Sequence, residues 1–204
     1  LKTTRNGASF SEYKKFIEQN EDYPRINRIR YLAEEKIYLR NNSPTSVINW
    51  FEKYPPLGGL GKIKLAEAYL EQGKIDKVRE LVKDGWVTGK IRKNDLSYYR
   101  AKFKKFIDSD DHIKRADYLA WERKYWDLKR MLKYLPQDQR ALYNARQILM
   151  SNSYGVDNAI SKVPQYLRED PGLEFDRLRW RNRRGRLEGS LEILYRNSLK
   201  TENQ

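Results

Sequence analysis

Six arginines stand within ten residues in "RLRWRNRRGR" (177–186), and no other stretch of the chain looks so much like a site. Two chemistries fit such a run. Guanidinium groups grip phosphates and other polyanions. They also decorate the solvated face of an ordinary helix, where ion pairs contribute little. Arg177, Arg181, Arg183 and Arg184 are the candidate polyanion contacts. The neighbours favour the helix face. Leu173 and Trp180 lie seven apart, Phe175 and Leu178 three apart, and beyond Gly185 the residues Leu187, Leu191 and Leu194 form an i, i+4, i+7 stripe. An arm that folds only on RNA would lack so regular an apolar side. The arginines therefore read as a solvated face, with Glu174, Asp176 and Glu188 within reach as partners.

Other residues able to do chemistry are few. His112, in "SDDHIKR", is the one histidine. No nucleophile and no orienting base converge on it, so it reads as an exposed histidine near a helix start. Asp108, Asp110 and Asp111 alternate as calcium ligands do, yet the central Gly and terminal Glu of a calcium loop are absent. Capping the next helix is the expected role. "PPLGGLGK" (55–62) is glycine-rich, but it departs from the phosphate-loop pattern and follows no strand. It reads as a turn into a helix starting near Lys62. Glu34 and Glu35 are adjacent and must point in different directions, with nothing in the sequence to mark either as buried. With no cysteine, disulfides, zinc–thiolate sites and thiol nucleophiles are excluded. Neither a metal nor an organic cofactor is expected.

The elements that must hold these residues are helical throughout. Val47, Ile48 and Phe51 recur at helical spacing after Ser43-Pro44, a capping residue followed by proline at the first helical position. The same period runs through Leu96, Tyr99, Phe103 and Phe106, through Ile113, Ala116 and Ala120, through Leu128, Leu132 and Leu135, and through Leu142, Ala145 and Leu149. Strand alternation is missing. Turns fall at Gln72-Gly73, Leu135-Pro136, Tyr154-Gly155, Asp170-Pro171-Gly172 and Arg184-Gly185.

Two of these turns share a frame. Gly73, Lys74, Ile75, Asp76 and Leu81 correspond to Gly185, Arg186, Leu187, Glu188 and Ile193. A third copy keeps Trp126, Asp127 and Leu132, with Lys124 in the glycine's place. The period is not the regular one of about 34 residues found in tetratricopeptide repeats. The expectation is an all-α superhelical stack of short, tetratricopeptide-like hairpins, a single domain over 1–204 with 1–9 and 198–204 frayed.

Charged residues reach 34% and the net charge is +14, which favours polyanionic partners such as nucleic acid, acidic lipid or a cell-wall polymer. No apolar run approaches the roughly 18 residues of a membrane span. The chain opens on Leu1 in a polar segment and reads as a mature or cut piece.

Two stretches carry a family resemblance. They are "ADYLAWERKYWDLKRMLKYLPQDQRALYNARQILM" (116–150) and "VPQYLREDPGLEFDRLRWRNRRGRLEGSLEIL" (163–194). Ala116-Asp117 with Leu119 and Trp121, the Leu132–Pro136 turn, Asp170-Pro171-Gly172-Leu173, and Asp176-Arg177-Leu178 with Trp180 resemble the superhelical, non-catalytic region of bacterial soluble lytic murein transglycosylases. The likeness is clearest from about 110 to 195. It implies a periplasmic protein whose partners are peptidoglycan and a lysozyme-like domain of the same protein. That domain uses one glutamate as acid and then base, without a cofactor, and leaves a 1,6-anhydro end. Its motifs are not in these residues; in "LYNAR" (142–146) Tyr143, Asn144 and Ala145 match one of them, but Arg146 replaces its glycine. No catalytic residue carries over, and the chain alone is expected to be inactive. A basic helical-repeat RNA binder or a protein-interaction scaffold is the rival expectation; against the former, no regular repeat places paired base-reading residues.

Overall fold

The computed structural model describes residues 6–151 and 154–202, with backbone alone for residue 187 and residues 196–202. Every regular element among the described residues is helical, and none is a strand. The chain divides into two compact units at Asp111 and His112.

The first unit carries α1 (Phe10–Gln19), α2 (Ile26–Glu34), α3 (Pro44–Lys53), α4 (Gly59–Glu71), α5 (Val78–Thr88) and α6 (Lys93–Lys102). Local chemistry sets several starts. Ser9 and Glu12 form a reciprocal capping box at α1, and Ser43 accepts the Ser46 N–H ahead of Pro44 at α3. Helix α4 lies at the centre, packed against α2, α3 and α5. Its residues from Gly59 to Tyr69 are accordingly buried on nearly every side, Lys64 and Glu67 included. A helix so covered cannot keep a polar face in water.

Helix α7 (Ser109–Trp121) leads into the second unit, which continues with α8 (Tyr125–Met131), α9 (Gln137–Leu149), α10 (Val156–Ser161), α11 (Pro171–Arg183) and α12 (Leu187–Glu202). Here α9 is central, packed against α8, α10 and α11. Leu128, Met131, Leu142, Ala145, Leu149, Val163 and Leu173 make the core. The expected frayed ends fall partly on residues 1–5 and 203–204, which lie outside the described residues. Helix α12 itself runs to Glu202.

Three helix ends close in one way. Lys74 donates its N–H to the Tyr69 carbonyl at 3.0 Å, Lys124 to Leu119 at 2.8 Å and Arg186 to Arg181 at 3.0 Å. In each case the preceding residue is left-handed: Gly73 at φ 71°, Arg123 at 55° and Gly185 at 66°. This is the Schellman closure, whose left-handed position favours glycine. The third copy is thus shifted by one from the sequence alignment, because Arg123 and not Lys124 stands in the glycine's place. The alignment matched side-chain types, whereas the turn is defined by a backbone angle. Holding arginine there costs about 1–2 kcal/mol. Its guanidinium donates to the Met150 carbonyl at 3.4 Å and lies 3.9 Å from the Asp176 carboxylate.

The stripe expected on α12 is also corrected. Leu191 and Leu194 are each 51% exposed, while Ser190 and Ile193 are buried. The side chain of residue 187 lies outside the described residues. On α11 the buried positions are Gly172, Leu173, Glu174, Asp176 and Trp180, and Phe175 is exposed. On α11, Leu173 and Trp180 face inward as their spacing suggests, together with the carboxylates Glu174 and Asp176, whereas α12 turns Leu191 and Leu194 outward.

Candidate functional site

The arginine run bridges α11 and α12, and its members are held by different partners. Arg181 donates to the Gly189 carbonyl and reaches the Glu192 carboxylate at 3.4 Å. Arg183 donates to the carbonyls of Met150 at 3.2 Å and Leu149 at 2.5 Å, closing the C-terminal end of α9. Cations at a helix C-terminus satisfy its last carbonyls and oppose its dipole. Arg184 and Arg186 lie over the Trp180 ring, 4.9 and 5.3 Å from its centroid. Arg177 is half-buried on α11. Arg181 and Arg183 therefore knit the second unit together, a role the solvated-face reading did not include. The expected partner Asp176 is taken by another arginine.

That arginine is Arg146 on α9, whose side chain is 1% exposed. It donates through Nε to Asp176 at 3.0 Å and through Nη1 to Asp117 at 2.7 Å, and Asp170 lies 3.9 Å away. Its guanidinium carbon stands 5.1 Å from the Trp121 ring centroid. A Cβ on Gly172 would collide with the guanidinium, so only glycine lets α11 approach this closely. Burial works against the Arg146 charge, but the bonds to Asp176 and Asp117 more than offset it. Burial likewise pushes the Asp176 carboxyl up, opposed by Arg146 and Arg123. The cluster joins α7, α9 and α11. Asp117, Trp121, Asp170, Gly172 and Asp176 all belong to the stretches that carry the family resemblance, while Arg146 was set aside as the mismatch in "LYNAR". One signal was available: Arg146 directly follows Ala145 in the apolar stripe of Leu142, Ala145 and Leu149.

In the first unit the glycine-rich loop does cradle an anion, and it is the chain's own. Glu34 Oε1 accepts the Leu57 N–H at 2.6 Å, the amides of Gly58 and Gly61 also favour its charge, and a Cβ on Gly61 would strike the carboxylate. The loop opens α4, whose positive end suits a carboxylate. Burial nevertheless dominates and pushes the Glu34 carboxyl up to about 7. Such a value suits an acid–base catalyst, yet Glu34 is only 3% exposed beneath the loop. Its role is to seat the loop. Glu35 points elsewhere, towards Lys90 at 3.3 Å and Arg92 at 3.5 Å. Both are buried, which the sequence did not mark.

Asp108 and Asp111 cap the start of α7 by accepting one another's backbone N–H at 3.0 Å. Lys83 bridges them at 3.1 and 3.3 Å. His112 is half-buried beside Tyr134, ring centroids 5.8 Å apart, rather than exposed. Among the described residues no group of three or more His, Asp or Glu is arranged to hold a metal, and no helix is long and apolar enough to cross a membrane.

No family model, curated protein or solved structure matches the chain.

Proposed function

We propose that this chain is the non-catalytic α-superhelical scaffold of a periplasmic lytic murein transglycosylase. A lysozyme-like domain outside these residues would cut the bond between N-acetylmuramic acid and N-acetylglucosamine. The observation that carries the reading is the cluster around Arg146. Five residues of the resembling stretches surround one buried guanidinium and bind three helices together. Motif residues with that task are what a scaffold needs, and none of them offers a free acid or base to a substrate. The repeated Schellman closures support a stack of hairpins, and a charge of +14 suits the carboxylates of the cell wall. The arginine run fits the RNA-binding alternative less well, because Arg181 and Arg183 are engaged with backbone carbonyls.

Purified chain mixed with isolated sacculi is the test. It should sediment with them at low ionic strength and release no 1,6-anhydro-muropeptides, and the coding frame should continue into a lysozyme-like domain. A frame that lacks such a domain would sink the reading. So would tight, sequence-selective RNA binding near physiological salt.

A further inference from the structure

A second buried cation has carboxylates near it, Glu67 and Asp95, but none bonded to it. Lys64, on the central helix α4, is 2% exposed. Its ammonium stands 3.9 Å from the ring centroid of Tyr38 and 5.3 Å from that of Tyr99. Those two π faces hold it, and no hydrogen bond or ion pair to it is formed among the described residues. Ring quadrupoles attract a cation but supply no acceptor for its three N–H groups. A buried ammonium without an acceptor is costly, and Glu67 and Asp95 offset that cost through space alone.

The nearest carboxylate on the same helix is already engaged. Glu67 accepts from the Tyr98 hydroxyl, from Tyr99 at 3.4 Å and from Lys102 at 3.0 Å. Tyr38 and Tyr99 also form walls of an open pocket of about 380 Å³, shared with Tyr98, Glu67, Arg40 and Asp95. Ligand pockets begin near this size, roughly 300 Å³. At its rim the Arg40 guanidinium lies over the Tyr38 ring at 5.1 Å and is exposed. Asp95 is half-buried, and no ion pair takes up its carboxylate. The groups left to meet a ligand are thus one cation, Arg40, one carboxylate, Asp95, and the tyrosine rings, with the Lys64 charge behind Tyr38 and Tyr99.

We propose that this pocket binds a small zwitterion of the amino-acid or short-peptide type, its carboxylate towards Arg40, its ammonium towards Asp95 and its aliphatic part against the tyrosines, with the Lys64 charge behind the rings favouring the carboxylate. A purely anionic ligand would leave Asp95 unmatched, and a purely cationic one would face Arg40 with the Lys64 charge behind the rings. The site rests on residues of the first unit and stands whether or not the chain serves a wall enzyme.

Calorimetric titration of the full chain tests this with alanyl-alanine, its N-acetyl form, its C-terminal amide, and N-acetylglucosamine. Alanyl-alanine should bind saturably, and each capped form should bind more weakly by about tenfold, the loss of one charged contact. Lys64→Met, which keeps the apolar packing and removes the charge behind the rings, should weaken binding while the helical circular dichroism is retained. Should that variant fail to fold, Asp95→Asn and Arg40→Gln carry the test from less buried positions, each expected to weaken alanyl-alanine by about tenfold. Absence of binding to the unaltered chain would overturn the proposal. So would equal affinity for the capped dipeptides or the neutral sugar, or unchanged affinity in any folded variant.

Discussion

Arg146 Nε donates to Asp176 Oδ2 at 3.0 Å, with the side chains 1% and 3% exposed. Each is the other's buried partner, while the more exposed Asp117 and Arg123 reach the pair from its edge. Removing one partner strands the other, which costs about 3–5 kcal/mol. Arg146→Met and Asp176→Asn should each destabilise the chain by that order in urea titrations. The double variant should cost less than the two together. Additive losses would show that the pair is not coupled.

Gly172 is needed for space and Gly185 for its backbone angle, and the two can be told apart. Gly172→Ala should cost about 1–3 kcal/mol, since its new methyl pushes on the Arg146 guanidinium. Much of that cost should vanish in the Arg146→Met background, where no guanidinium remains. Gly185→Ala should cost about 1–2 kcal/mol from the left-handed backbone alone. Its cost should be the same in both backgrounds, as read from denaturation midpoints.

Trp180 and Leu191 differ by burial rather than by type. Trp180 is 8% exposed and Leu191 51%. Trp180→Ala should lose about 3–5 kcal/mol. Leu191→Ala should stay within about 0.5 kcal/mol of the parent. Arg183→Gln should cost about 1 kcal/mol through the carbonyls at the end of α9, a loss that a purely solvated arginine would not produce. Thermal unfolding of the three variants would rank them, and an Arg183→Gln chain as stable as the parent would return that residue to the solvent.

Glu34 gives the fold a pH dependence of definite sign. Its carboxyl is held up at about 7 in the folded chain against an ordinary 4.5. The native state therefore keeps a proton that the unfolded chain releases, and stability falls as pH rises from about 4.5 to about 7. Above that window the full penalty is present, about 3 kcal/mol at most; below it there is none. In Glu34→Gln this part of the slope should disappear while the amide still accepts the Leu57 N–H. Urea titrations at pH 4 and pH 8 should show the variant gaining on the parent at the higher pH. Parallel curves would mean that Glu34 titrates normally.

Most helices and many of their ends follow from local residue pattern alone. Leu96 and Tyr99 are buried on α6 as their spacing requires, while Phe103 and Phe106 are buried in the turn beyond its end at Lys102. Ser43-Pro44 and Asp170-Pro171 start helices because a side-chain acceptor and a fixed φ act within one turn of chain. Gly73 and Gly185 mark closures for the same local reason. Which polar residues lose their water depends instead on packing between helices far apart in sequence. Periodicity tells which residues share one face of a helix, not how many faces are covered. Helices α4 and α9 each meet three other helices, so Lys64, Glu67 and Arg146 lie inside, where an amphipathic pattern would place them outside. Arg123 took the glycine's backbone angle, and Leu191 was turned to solvent as α12 settled against α11. The burial of a charge depends on the partners that long-range packing brings to it, and Asp117 and Asp176 reach Arg146 from 29 and 30 residues away.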